Sequence, residues 1–212
     1  MAPGRRTSWQ LVVVLLVLAG TKTVVGLQAS PSGAGKGPRW PVKTLADPAA
    51  QYVNRASHAA TVRRLVTLSP PAVTGHSGRL PHVETQVMTV PVVLVAAKLV
   101  HDGDLQLVVR DPGGTATMIA ELPDASCLGR GVSASDPAAM GAARGAVERT
   151  CPALGSKNIA LTGKAVLSGV QFHDTPHTGD TEADNARGAA VDEIELHPIL
   201  RVTALTCAAG AP

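Results

Sequence analysis

Histidine and carboxylate side chains recur at close spacing near the C-terminus of this 212-residue chain. Glu195 and His197 are two positions apart in the run EIELHP, so on a β-strand both side chains project to one face. His173 and His177 precede them across a polar segment. Imidazole and carboxylate donors together bind zinc and related divalent ions. We therefore predict a divalent metal as a candidate cofactor, with His173, His177, Glu195 and His197 as candidate ligands; the alternative is a solvated strand face beside a solvated loop.

A second group of candidate residues comes from the sequence HDGD, where Gly103 separates Asp102 from Asp104. Asp and Gly at a chain reversal are typical of a hairpin turn. The pattern also resembles the acidic hairpin of thermonuclease-type nucleases. The residues of the predicted binding face are Asp102, Asp104, His173, His177, Glu195 and His197. We predict a binding or interaction module that uses this face, and the alternative is a metal-dependent, nuclease-like hydrolase that uses the same residues.

The elements that must position these residues are β-rich. Apolar runs at residues 85–100, 105–110 and 115–122 are separated by HDGD and DPGG, which predicts a three-stranded meander. Asp136-Pro137 begins a helical spacing of Met140, Ala143 and Val147. Two further strands are predicted at residues 158–172 and 193–205. The fold class is therefore mainly β with one helix, and the order β-β-β-α-β-β is that of a five-stranded OB-like barrel.

The N-terminus has the pattern of an export signal. Arg5 and Arg6 precede the apolar run LVVVLLVLA, and small or polar residues follow. We divide the chain into a signal peptide at 1–26, a flexible linker at 27–39, an N-terminal extension packing on the domain at 40–84 and the barrel at 85–207. The prediction is a secreted protein, extracellular or in the cell envelope. It would contact a membrane only through an uncleaved signal segment.

The distribution of charge bears on the partner. Residues 27–84 hold seven basic and two acidic residues, whereas residues 85–212 hold nine basic and fourteen acidic residues. Phe172 is the only aromatic residue after residue 84. An acidic domain without stacking aromatics argues against a nucleic-acid partner. The predicted partner is an unidentified extracellular ligand or protein.

Three cysteines follow the signal segment. In an exported protein this number favours one disulfide and one leftover thiol. Cys127 and Cys151 flank the predicted helix and are the predicted pair. Cys207 could replace either partner.

Several sequence blocks occur together in one order: KTLAD, DGDLQLVV, TMIAELPDASC, GVQFHD and IELHP. In this combination the chain resembles a family of exported bacterial proteins of unknown function. The resemblance covers about residues 43–202 and implies export and an OB-like barrel, without an activity. The chain departs from the family pattern at His177, which is followed by Thr178 where the family has a His-Gly pair.

Overall fold

A computed structural model describes residues 37–69, 71–128, 135–152, 154–175, 190 and 193–210. The signal segment, most of the linker and His177 lie outside the described residues. The regular elements in chain order are α1 (Trp40–Lys43), β1 (Asn54–Ala59), α2 (Val62–Leu65), β2 (Gln86–Leu99), β3 (Leu105–Arg110), β4 (Thr117–Leu122), α3 (Ser135–Thr150), β5 (Ile159–His173) and β6 (Ile194–Ala209). The prediction of a mainly β fold is confirmed. None of the helices in the described part of the chain combines the length and apolar character needed to span a bilayer.

Six strands form one sheet in the order β1-β2-β3-β4-β6-β5, and β2 also pairs with β5. The strands from β2 to β6 therefore make a closed ring of hydrogen-bonded pairs. The β1–β2 and β4–β6 pairs are parallel, and the other pairs are antiparallel. Strand β3 occupies the predicted range, whereas β6 continues to Ala209, beyond the predicted end at residue 205.

The inner faces of β3 and β4 build the main hydrophobic core. Leu105, Leu107 and Val109 are fully buried on one face of β3, and Met118 and Ala120 are fully buried on β4. Truncating one of these leucines to alanine would cost about 2–5 kcal/mol. The two strands are antiparallel neighbours, so the start of β3 and the end of β4 lie at the same end of the strand pair.

A sixth strand, β1, was not predicted. It pairs in parallel with the start of β2, and all six of its residues are exposed. Its sequence NRASHA carries no apolar alternation, because only its backbone joins the sheet. The same N-terminal segment packs on the strands through Leu45, Ala50 and Val53, which form a second apolar cluster with Val87 and Val170.

Helix α3 buries the predicted face of Met140, Ala143 and Val147. Its C-terminal end meets the end of β6, where Cys151 forms a disulfide with Cys207 at a Cα–Cα distance of 4.9 Å. The predicted Cys127–Cys151 pair was wrong, and Cys127 forms no disulfide. The reason is the distance along α3: Ala125, two residues before Cys127, lies beside Gly141, and the ten helical residues from Gly141 to Cys151 span about 15 Å, which is too far for a disulfide.

Candidate metal centre

The Asp102–Asp104 hairpin joins β2 to β3. Gly103 has φ 94°, a conformation that glycine adopts at low cost. The Asp102 carboxylate accepts the backbone N–H of Asp104 at 3.3 Å, and Val100 donates its N–H to the Asp104 carbonyl at 2.9 Å. Arg144 on α3 donates to the Gly103 carbonyl at 2.8 Å. These contacts fix Asp104 at the start of β3 with its side chain fully buried.

Glu195 and His197 lie near the start of β6, and this strand lies between β4 and β5 in the sheet. Glu195 is paired with Ile119 on β4 and with Phe172 on β5. Both faces of this part of β6 are buried, so the predicted solvated strand face is absent there. Alternation correctly places Glu195 and His197 on one face, and the structure adds that this face is covered.

Four side chains meet at that position, and we call them the His197 cluster. Its members are Asp104, Glu121, Glu195 and His197. His197 Nε2 lies 3.2 Å from Asp104 Oδ2, and His197 Nδ1 lies 3.0 Å from Glu121 Oε2. Glu195 Oε2 is 3.7 Å from Nδ1. One donor atom from each of Asp104, Glu121 and His197 can be chosen so that all three lie within 4.8 Å of one another.

The close atoms of the His197 cluster do not form well-aligned hydrogen bonds. Among the described residues, both ring nitrogens of His197 and the nearest oxygens of Asp104, Glu121 and Glu195 lack a partner in hydrogen-bond geometry. All five atoms are shielded from solvent. Buried polar atoms are paired in the great majority of native proteins, so such convergence calls for an explanation. Oxygen and imidazole nitrogen atoms placed in this way are able to ligate a cation.

Lys43 on α1 provides the nearest positive charge. Its Nζ lies 3.1 Å from Asp174 Oδ2 and 3.9 Å from Glu121 Oε2. The ammonium also sits 5.5 Å from the centre of the Phe172 ring. Burial would lower the pKa of Lys43, but the charges of Glu121 and Asp174 raise it above its ordinary value. Lys43 is therefore a permanent cation beside the cluster.

The carboxylates of the cluster respond differently to burial. Burial opposes ionisation of Glu121, but the Lys43 charge and the His197 contact outweigh it and lower the pKa of Glu121 to about 2. Burial and the Glu121 charge raise the pKa of Glu195 to about 8. Burial would lower the pKa of His197, yet its contacts with Asp104 and Glu121 raise it well above the ordinary value. Near neutral pH Glu121 is therefore ionised, whereas Glu195 holds its proton.

The structure brings together three of the predicted site residues, Asp104, Glu195 and His197. Asp102 precedes Asp104 by two residues in the hairpin and is not a member of the cluster. Burial raises the pKa of Asp102. His173 is buried, and its backbone N–H donates to Glu84 at 3.0 Å. His173 is not one of the three residues whose donor atoms converge, and the fourth predicted metal ligand, His177, lies outside the described residues.

Sequence reasoning missed Glu121 and Lys43. Glu121 is the next-to-last residue of the run TMIAEL, where alternation places it opposite the buried face and suggests a solvated acid. In the structure it is 4% exposed, and Gln106 across the strand pair donates to its Oε1 at 2.9 Å. Lys43 is distant from the cluster in the sequence, and only tertiary packing brings it near those side chains. The one available signal was an acid within an otherwise apolar strand.

Comparison of the chain with protein-family models, with curated proteins and with solved structures finds no match.

Proposed function

We propose that this chain is an exported binding domain on an OB-like barrel, and that its buried His197 cluster holds a divalent cation. The closed ring of strands β2-β3-β4-β6-β5, with α3 between β4 and β5, supports the OB-like assignment. The signal-like N-terminus and the Cys151–Cys207 disulfide support export.

The observation that carries the cation is the convergence of Asp104, Glu121 and His197 without hydrogen-bond alignment. Two carboxylate oxygens and one imidazole nitrogen are a donor set suited to Zn²⁺ and similar transition ions. The imidazole can ligate through one ring nitrogen only. The other nitrogen would then donate its proton to a nearby carboxylate, an arrangement that orients metal-bound histidines in many proteins.

Charge balance supports the same conclusion. Glu195 is left out of the charge balance because its raised pKa keeps it protonated near neutral pH, and His197 because an imidazole that ligates an ion is neutral. The acids that remain are Asp104, Glu121 and Asp174, and the base is Lys43. An uncompensated buried charge is expensive. A divalent cation would balance the excess while satisfying the unaligned oxygens.

The hydrolase alternative has one supporting observation, because three protein donors is also the number in catalytic zinc sites. Burial opposes it, since the side chains of Asp104 and His197 have no exposed surface and a catalytic ion needs an open position. Hydrolysis of bis(p-nitrophenyl) phosphate by metal-loaded protein is the test. Activity that is lost in Asp104→Asn and kept in Asp102→Asn would establish the hydrolase.

Metal content and thermal unfolding test the cation site. We expect about one transition ion per chain in protein purified without chelator, and a lower Tm after treatment with EDTA, because a ligand that binds only the folded state stabilises it. The isosteric variants Asp104→Asn and Glu121→Gln should lose the ion. Asp102→Asn is the matched control in the same hairpin, because its amide oxygen can still accept the Asp104 N–H.

Two results would contradict the cation site. One is a protein that contains no ion, cannot be loaded with Zn²⁺ or Mn²⁺ and has the same Tm with and without EDTA. The other is loss of the ion in Asp102→Asn to the same extent as in Asp104→Asn, which would indicate diffuse attraction to acidic residues.

A further inference from the structure

An open groove of about 470 Å³ lies beside the C-terminal end of β1 and the helix α2. None of the residues that line it belongs to the His197 cluster. Its volume is within the range of sites for small organic ligands. The groove is therefore a candidate binding site separate from the cation site.

The floor of the groove is apolar because it continues the main hydrophobic core. Leu65 on α2 is a buried member of that core, and Leu68 and Met88 pack against it from the groove side. His58 and Met88 are neighbours across the β1–β2 pair. An alkyl chain on this floor would bury apolar surface of the ligand and of the protein. Each Å² removed from water would stabilise the complex by about 25 cal/mol.

The polar groups of the groove are basic or neutral. Arg64, His58 and His82 line it together with apolar side chains, and no carboxylate is among the lining residues. Within the described part of the chain, the Arg64 guanidinium has neither a hydrogen bond nor an ion pair. Only the backbone of Arg64 is engaged: its N–H donates to Thr61 and its carbonyl accepts from Thr67. A free guanidinium beside an apolar floor favours a carboxylate ligand.

Gln171 adds a buried polar group to this groove. It is only 4% exposed and lines the groove from β5. Its side-chain amide makes no hydrogen bond to the described residues, and its atoms are not among those that are fully shielded from solvent. A ligand or water in the groove can therefore form a hydrogen bond with it.

We propose that this groove binds an amphipathic monocarboxylate, a fatty acid of medium chain length. The alkyl chain rests on Leu65, Leu68 and Met88, and the carboxylate pairs with Arg64. The absence of acids from the lining excludes a cationic head group on grounds of charge. The proposal does not depend on the cation site.

Isothermal titration of the full chain with decanoate, in the presence of EDTA and below micellar concentration, tests this site. We expect saturable binding of one decanoate per chain, weaker binding of decanol, and none of decyltrimethylammonium or acetate. Arg64→Gln should weaken decanoate binding at least about tenfold, because it removes a charge-assisted hydrogen bond. The neighbouring Arg63→Gln is the matched control, since Arg63 does not line the groove.

The position of the ligand has its own readout. Decanoate should shift the methyl resonance of Met88 in wild type and in Arg63→Gln, and circular dichroism should show that both arginine variants are folded. The proposal is overturned if decanoate does not saturate, if decanol binds equally well, if Arg64→Gln binds as wild type does, or if Arg63→Gln loses affinity equally.

Discussion

Two buried ionic regions of this molecule differ in how completely their charges and hydrogen-bonding groups are paired. In the first, which we call the arginine pairs, Arg39 binds both oxygens of Glu84, at 2.8 and 2.6 Å, and Arg79 binds Asp47 at 2.6 Å. Backbone carbonyls accept further guanidinium hydrogens: Arg39 donates to Ser77, Gly78 and His173, and Arg79 donates to Val42 and Glu84. Each positive charge has one negative partner.

The His197 cluster lacks both properties. Its charges are unequal in number, and its closest atoms are not aligned for hydrogen bonding. In the arginine pairs each charge has its countercharge within the protein, and these contacts hold the N-terminal segment against the strands. The difference indicates that the first region is structural, and it supports the proposal that the second holds a cation.

The largest expected effect comes from removing the carboxylate of one of the arginine pairs. Glu84→Gln should lower the free energy of unfolding by about 3–5 kcal/mol, because Arg39 would remain buried without its countercharge. Urea denaturation measures the loss, which should be the same with and without EDTA. Glu148→Gln is the control: its partner Arg144 is four residues away on the same helix, Glu148 is 47% exposed, and the expected loss is about 0.5 kcal/mol or less. A loss below about 1 kcal/mol for Glu84→Gln would contradict the structural role of this pair.

A smaller effect, which depends on the ion, should distinguish the His197 cluster. In the presence of saturating Zn²⁺, Asp104→Asn should lower the free energy of unfolding by about 2–3 kcal/mol, the contribution of an ion at about 100 times its Kd. In EDTA the loss should be smaller than in Zn²⁺, because Asp104 then acts only as one of the countercharges of His197. Denaturation of both proteins under both conditions gives the comparison. Equal destabilisation with and without the ion would mean that Asp104 acts as an ordinary structural carboxylate.

The smallest effect concerns a carboxylate outside both regions. The backbone N–H groups of Arg63 and Gly113 donate to Asp111, each at 3.0 Å, and these bonds lower the pKa of Asp111. A lowered pKa in the folded state contributes stability that is complete above the ordinary pKa and is lost as the pH falls through the folded value. The difference in free energy of unfolding between wild type and Asp111→Asn should therefore be constant near neutral pH and narrow below about pH 4. A difference that stays constant down to pH 2 would contradict this assignment.

Local pattern was sufficient for five of the six described strands and insufficient for β1 and for the surroundings of the strands. Alternation correctly predicted the buried face of β3 and placed Glu195 and His197 together, because both depend only on the period of a strand. It failed for Glu121, because a period cannot tell that the second face of β4 is also covered. The disulfide and Lys43 depend on contacts between distant parts of the chain, which no local pattern contains.

The position of Lys43 has a consequence for the order of folding. Its partner Asp174 follows 131 residues later in the chain, so this contact belongs to the most non-local class in the molecule. Contacts of that kind carry the largest loop-closure cost and tend to form after local hairpins have closed. We therefore expect the strands to assemble first, leaving the carboxylates open to water until α1 docks. An ion would enter during that interval and would afterwards leave only as fast as the first helix detaches.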